Sequence, residues 1–297
     1  MKVVNVPERL DYRSFDDLAG ALAEVDAGPV LLDAHRLRWV DPMGMTGLLG
    51  AGSVLGARIG QRPRLQLPAG GEVPGYMARM GFFERARDLL EIHDAPASKA
   101  ARASDILLEI TPITSSEDVH GVVDRVQSRA EAILSRTLRY PASAVVQFSV
   151  VLSEVCQNII EHADAPGWVA AQAYHWQRRL GRHVLLLSVV DLGRGFRGSL
   201  EEEHGPRYGD DWGDAAALEA AFLHGITRFN EKGRGQGIQQ IKRQVQRWNG
   251  AVEIRSGRAR IAEVPEWEDR TPLQSGLPDF PGAQINVILP GRRADGA

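Results

Sequence analysis

Apolar residues recur along this chain with two different spacings, and the two alternate. Phe15, Leu18, Leu22 and Val25 fall three or four apart, which predicts an amphipathic helix over about 14–26 with Ser14 as its cap. Pro29-Val-Leu-Leu-Asp33 reads as a short buried strand, and Arg64-Leu-Gln-Leu67 as another. Between them, Trp39-Val40-Asp41-Pro42 leads into a glycine-rich helix from about Met43 to Ile59. Met77, Met80, Phe83 and Leu90 suggest one further helix. This alternation predicts a compact α/β domain over residues 1–94. The stretch 95–104, APASKAARAS, is small and polar with no apolar period, so a linker is expected over 95–105.

The second half, 106–297, repeats the two periods on a larger scale. Ile106-Leu-Leu-Glu-Ile110 predicts a strand, and Ser116 to Leu134 a helix with Val119, Val122, Val126 and Ile133 on one side. Pro141 suits the first turn of the next helix. That helix is expected to run to about Ala163, with Val145, Phe148, Leu152, Val155 and Ile159 as its apolar stripe. Strands follow near Trp168–Tyr174 and His183–Val190. Leu192 to Arg234 reads as a long irregular region, because Gly205, Pro206 and Gly209 argue against a long helix there. A helix then starts near Gly235, carries Ile238, Ile241, Val245 and Trp248, and stops at Asn249-Gly250. Ala251–Arg255 and Ala283–Leu289 close the domain as strands. The stretch 261–280, rich in proline and acidic residues, reads as an insertion without an assigned role.

Composition narrows the picture only a little. The 297 residues are 43% hydrophobic and 25% charged, ordinary for a globular chain and enough for two cores. A formal net charge of -3 does not advertise a nucleic-acid binder. One cysteine, Cys156, rules out a disulfide within the chain and fits a reducing compartment. The opening residues have no apolar core of signal-peptide length. The longest apolar stretch, His183 to Val190, is far short of the roughly 20 residues of a membrane span. A cytoplasmic protein is expected.

Three short motifs carry candidate chemistry. In Ser153-Glu-Val-Cys-Gln-Asn158, Glu154 and Asn158 lie four apart and share one helix face with Glu161 and His162. Asn offers a neutral carbonyl oxygen fit for Mg²⁺, and Glu one turn away can take a proton from an attacking hydroxyl. An isolated pair of this kind is equally the wet side of an ordinary helix. Asp191-Leu-Gly193-Arg-Gly195 ends an apolar strand, and its carboxylate can select an exocyclic amine. The same run continues to Gly198 as G-x-G-x-x-G, a dinucleotide fingerprint only if a helix opens at the glycines within a βαβ unit. Otherwise it is a plain turn. Lys232-Gly-Arg-Gly-Gln-Gly237 leads into a helix, where backbone N–H groups and the helix N-terminus favour phosphate. No Walker A sequence occurs in the chain.

E-x-x-x-N on a helix, D-x-G-x-G after a strand and G-x-G-x-G before a helix, in that order, resemble the GHKL ATPase superfamily. The resemblance covers about residues 106–290 and implies Mg²⁺ and ATP as cofactors. It implies Asn158 as the Mg²⁺ ligand, Glu154 as the catalytic base and Asp191 as the reader of adenine. Gly193, Gly195, Thr227, Arg234, Gly235, Gly237 and His162 would also contact the nucleotide, with Leu192–Arg234 as a lid. Within the superfamily, residues 154–163 and Ala221–Thr227 look most like the anti-sigma-factor serine kinases. Histidine kinases match less well, since His120 precedes Gly121 and no two-helix dimerisation hairpin is evident. Residues 1–92 resemble a STAS domain, whose serine at a D-S-S-G-type turn such kinases phosphorylate. Here Pro42 and Met43 replace those serines, and Thr46 carries the nearest hydroxyl.

The expected fold class is therefore α/β (α+β): a STAS-like domain with helices on a small mixed sheet, then a GHKL α/β sandwich. The implied function is a partner-switching regulator that binds Mg·ATP, with a STAS-type or sigma-factor-like protein as partner and neither membrane nor nucleic acid. The resemblance leaves open phosphorylation of Ser/Thr on that partner, a non-catalytic ATP-gated switch, and an ATPase whose lid closure drives a homodimer.

Overall fold

The computed structural model describes residues 1–93, 107–160, 165, 167–227 and 237–292, with only the backbone at 107 and 125–132. The expected linker therefore lies outside the described residues. The chain divides into two compact units, Met1–Ser104 with Leu108–Ile110 and Asp105–Leu107 with Thr111–Ala297.

In the first unit, β1 (Lys2–Asn5), β3 (Val30–Asp33) and β5 (Arg64–Gln66) form one sheet in that order, and both pairings are parallel. The mixed sheet expected from sequence is thus corrected to a parallel one. The reason is connectivity: α1 (Phe15–Ala23) and α2 (Pro42–Ile59) each carry the chain back to the same end of the strands before the next one begins. The two-residue strands β2 (Arg9–Leu10) and β4 (Trp39–Val40) pair separately, also in parallel. Ser14 does not cap α1 with its side chain; its hydroxyl donates to the Arg9 carbonyl. The single helix expected over Met77–Leu90 is two, α3 (Glu72–Arg79) and α4 (Phe82–Ala86), parted by Gly81 at φ 74°.

Asp41 starts α2, where Pro42 occupies the first turn. One Asp41 oxygen accepts from the Gly44 N–H at 2.8 Å and the other from the Tyr12 N–H at 3.3 Å. Glycine is required at 44 because a Cβ there would collide with the Leu10 carbonyl. Burial pushes the Asp41 carboxyl up to about 7; the Asp11 carboxylate adds to the rise, and the two N–H groups oppose it. An acid whose folded value lies above its unfolded one is held protonated by the fold. Its stabilising contribution is full below about pH 4 and is lost as pH rises through about 7. Asp41→Asn keeps an oxygen for Gly44, so it is expected to flatten the fall in thermal midpoint between about pH 5 and about pH 8. Thermal unfolding across that range is the check, and a variant with the native slope would contradict the assignment.

The second unit is built on a five-stranded sheet in the order β6-β7-β8-β10-β9, with the middle of β6, Leu108–Ile110, grouped with the first unit. Its strands are β6 (Leu107–Ile113), β7 (Gly167–Trp176), β8 (Arg182–Asp191), β9 (Ala251–Glu263) and β10 (Leu273–Pro290). β7 with β8, β8 with β10, and β10 with β9 all pair antiparallel. Register places Val189, Ile285 and Ile254 on one face, and Ser188, Asn286 and Glu253 on the other. Helices α5 (Ser116–Ala130), α6 (Ser143–Asn158), α7 (Gly195–Tyr208), α8 (Asp214–Phe222) and α9 (Gly237–Arg247) complete the unit. Among the described residues no helix is long and apolar enough to cross a membrane.

Two stretches differ from expectation. Leu192–Thr227 is not irregular: it holds α7 and α8, whose Leu200, Ala217 and Ala221 pack with Trp212 in a buried cluster, and the rest of the expected stretch, 228–234, lies outside the described residues. Burial of that cluster outweighs the poor helix propensity of Gly205 and Pro206, which fall in the last turn of α7. The apparent insertion 261–280 is largely strand, continuing β9 and β10 as a ribbon with register shifts at Ser275/Phe280 and Phe280/Ala283. The turn of this ribbon is tied back to the sheet. Arg270 donates to Glu253 at 2.8 Å, Arg179 pairs with Glu268 at 2.8 Å, and the Arg179 guanidinium lies over both Trp176 and Trp267.

Candidate functional site

Helix α6 brings the first group of candidate residues to the sheet. Its Ala144, Phe148, Leu152 and Val155 are buried, and the turn after Val155 carries Asn158. Asn158, Asp191, Gly195 and Thr227 all line one cleft, with Val155, Ile159, Val189, Phe196, Ile226, Ile238 and Ile285 as its apolar wall. The cleft holds about 710 Å³ of space free of protein atoms, its solvent-open mouth included. A mostly apolar concavity with a few convergent polar groups is the usual form of a small-molecule site.

Asp191 ends β8 and is only 7% exposed. Its Oδ1 accepts from the Gly193 N–H at 2.9 Å and from the Ala283 N–H at 3.2 Å. Both described hydrogen bonds fall on that one oxygen, which leaves Oδ2 with lone pairs for a donor in the cleft. Burial pushes the carboxyl up to about 6, and the two N–H groups hold it back from rising further.

The backbone around Asp191 is packed to the limit. Gly195 stands at φ 65°, and a Cβ on it would meet the Ser256 hydroxyl. That hydroxyl accepts from the Phe196 N–H at 3.0 Å and donates to the Gly282 carbonyl at 3.0 Å. A Cβ on Gly282 would collide with the Asp191 carbonyl. Ser256, Gly282 and Ala283 thus shape the acid's surroundings, and sequence reasoning passed over all three. The only signal was Pro281-Gly282, a turn dipeptide in front of the last strand.

Asn158 is half-buried, and its Nδ2 is buried with no hydrogen-bond partner among the described residues. An orphaned amide in a cleft is costly unless a ligand satisfies it. Glu154, one turn earlier, does not line the cleft but meets the start of α9: a Cβ on Gly237 would run into its carboxylate. Gly237 precedes Ile238, which does line the cleft. The structure therefore gathers Asn158, Asp191, Gly195 and Thr227, attaches Gly193 through its N–H, and sets Glu154 against Gly237. His162, Arg234 and Gly235 lie outside the described residues. Among the described residues no cluster of three or more His, Cys, Asp or Glu is placed to hold a metal ion by itself.

The dinucleotide alternative fails on topology. A helix does open at Gly195, contrary to expectation, but β8 lies between antiparallel neighbours, and a βαβ unit needs parallel ones. No family model matches the chain, and no curated protein matches it.

Proposed function

We propose that the second unit binds Mg·ATP and acts as a GHKL-type regulator. One observation carries this reading: residues from three distant stretches, Asn158, Asp191 with Gly195, and Thr227, converge on one cleft. The apolar wall suits a planar base, and the Asp191 carboxylate suits an amine on its edge. The Asn158 amide, whose Nδ2 has no hydrogen-bond partner among the described residues, turns its oxygen or its N–H₂ to what the ligand offers. The N-terminus of α9 favours the anionic end. These residues fit the group that the sequence resemblance implies. Bound Mg·ATP supplies a transferable phosphoryl group, and the chain's own part is to orient it and to hold a proton acceptor nearby. Glu154 is that acceptor.

The phosphorylated group is proposed to be a Ser or Thr on a STAS-type partner. The first unit is proposed to be a STAS-like docking module that is not itself switched by phosphorylation. Thr46 supports this, being fully buried with its hydroxyl donated to the Pro42 carbonyl at 2.8 Å.

Calorimetric titration with Mg·ATP tests the binding claim, and a protein that takes up no ATP ends it. Glu154→Ala is expected to bind Mg·ATP within about twofold of the native protein and to lose ~100-fold or more of turnover. Turnover is read with labelled ATP and a STAS-type partner. Unchanged turnover removes Glu154 as the base. Binding without turnover in the native protein makes it a passive ATP-gated switch.

A further inference from the structure

Resting on the nucleotide reading above, we propose that His204 is a positioning residue, which fixes the Thr227 side of the cleft for the triphosphate end of the ligand. His204 belongs to none of the motifs that carry that reading. It sits on α7 at 8% exposure, with its Nε2 2.9 Å from the Thr227 carbonyl oxygen. A carbonyl only accepts, so Nε2 carries the proton and donates. Nδ1 is buried with no hydrogen-bond partner among the described residues. The Glu203 carboxylate stands 3.8 Å from Nε2, beyond hydrogen-bond reach. The ring thus has one described hydrogen bond, and it goes to a residue of the cleft.

The location of that bond gives it a role. At its N-terminal end, α7 lines the cleft beside Asp191 through Gly195, Phe196 and Ser199. Nearer its C-terminal end, the same helix holds Thr227. A hydrogen-bonded helix transmits position stiffly, so α7 ties the Asp191 side of the cleft to the Thr227 side. The Thr227 side adjoins α9. Gly225, at φ 66°, lies against Gln239 in the first turn of α9. Gln239 in turn donates to the carbonyls of Ala221 at 3.1 Å and Phe222 at 2.7 Å. The Ile226 N–H donates to the Ala220 carbonyl at 2.9 Å. Residues 225–227 therefore flank the helix start where an anionic group belongs.

Two variants and two ligands test this. His204→Phe keeps a ring of similar bulk and removes the donor; His204→Gln keeps an N–H donor. His204→Phe is expected to weaken Mg·ATP about tenfold while leaving adenosine within about twofold, and His204→Gln to stay near the native ratio. A merely structural role predicts equal loss for both ligands. That result, or no loss for Mg·ATP, overturns the proposal even where native binding is intact. If His204→Phe does not fold, His204→Leu, which also removes the donor, takes its place with the same outcomes: a selective loss of Mg·ATP supports the role, and equal loss of both ligands or no loss contradicts it. A native protein that binds neither ligand overturns the nucleotide reading itself, a separate failure.

Discussion

Asp191→Asn is expected to abolish measurable Mg·ATP binding and at the same time to raise the thermal stability of the ligand-free protein above neutral pH. The two effects share one cause. The carboxyl is buried at the end of β8 and pushed up to about 6, so at higher pH the fold holds a charge in a poor solvent. Its folded value exceeds the unfolded one. The group's stabilising contribution is therefore complete below about pH 4 and is lost as pH rises through about 6. A rise of roughly two units corresponds to ~3 kcal/mol as an upper bound. Asparagine keeps the oxygen that accepts from Gly193 and Ala283 and removes the charge. Its amide, however, offers a donor where a nucleobase amine also offers one. Two donors face each other, and ~100-fold or more of affinity is lost. The same logic makes native binding weaken as pH falls through about 6, because the ligand needs the ionised acid. The checks are calorimetry with Mg·ATP across that range and thermal unfolding of both proteins above it. A variant that binds as the native protein does removes Asp191 from base recognition. A variant less stable than the native protein above neutral pH means that the carboxylate is satisfied by more than its two N–H bonds.

The elements that position the cleft were legible where one period dominates. Helix α6 shows its buried stripe in sequence, and β8 its continuous apolar run, so Asn158 and Asp191 could be named before any coordinates. The elements that close the cleft were not. Helix α7 carries Gly205 and Pro206, and its formation rests on packing with Trp212 and α8, a tertiary effect that a local window cannot see. The long β10 contains Gly276, Pro278, Pro281 and Gly282, each a breaker by ordinary rules. Bulges absorb them, and one of these breakers supplies the turn that buttresses Asp191. The parallel order of β1, β3 and β5 likewise depends on how the helices cross the sheet, which spacing along the chain does not encode.

Gly276 and Gly282 allow backbone strain to be separated from close packing in a single pair of variants. Both lie on β10 with positive φ, 73° and 76°, where an L side chain is disfavoured by ~1 kcal/mol. A Cβ on Gly276 meets nothing within 4 Å. Gly276→Ala is therefore expected to cost only that ~1 kcal/mol and to leave nucleotide binding unchanged. A Cβ on Gly282 would strike the carbonyl of Asp191, and backbone cannot rotate away as a long side chain can. Either β8 and β10 separate at this point, or the 282 turn refolds. Both outcomes break the Ala283 N–H bond to Asp191 and the Ser256 hydroxyl bond to the Gly282 carbonyl. Gly282→Ala is expected to cost ~4 kcal/mol or more and to abolish Mg·ATP binding at temperatures where the chain still folds. Chemical denaturation gives the first number and calorimetry the second. Equal losses in the two variants would mean that φ alone sets the cost, and the tight contact between the 282 turn and Asp191 would then carry no part of the site's shape.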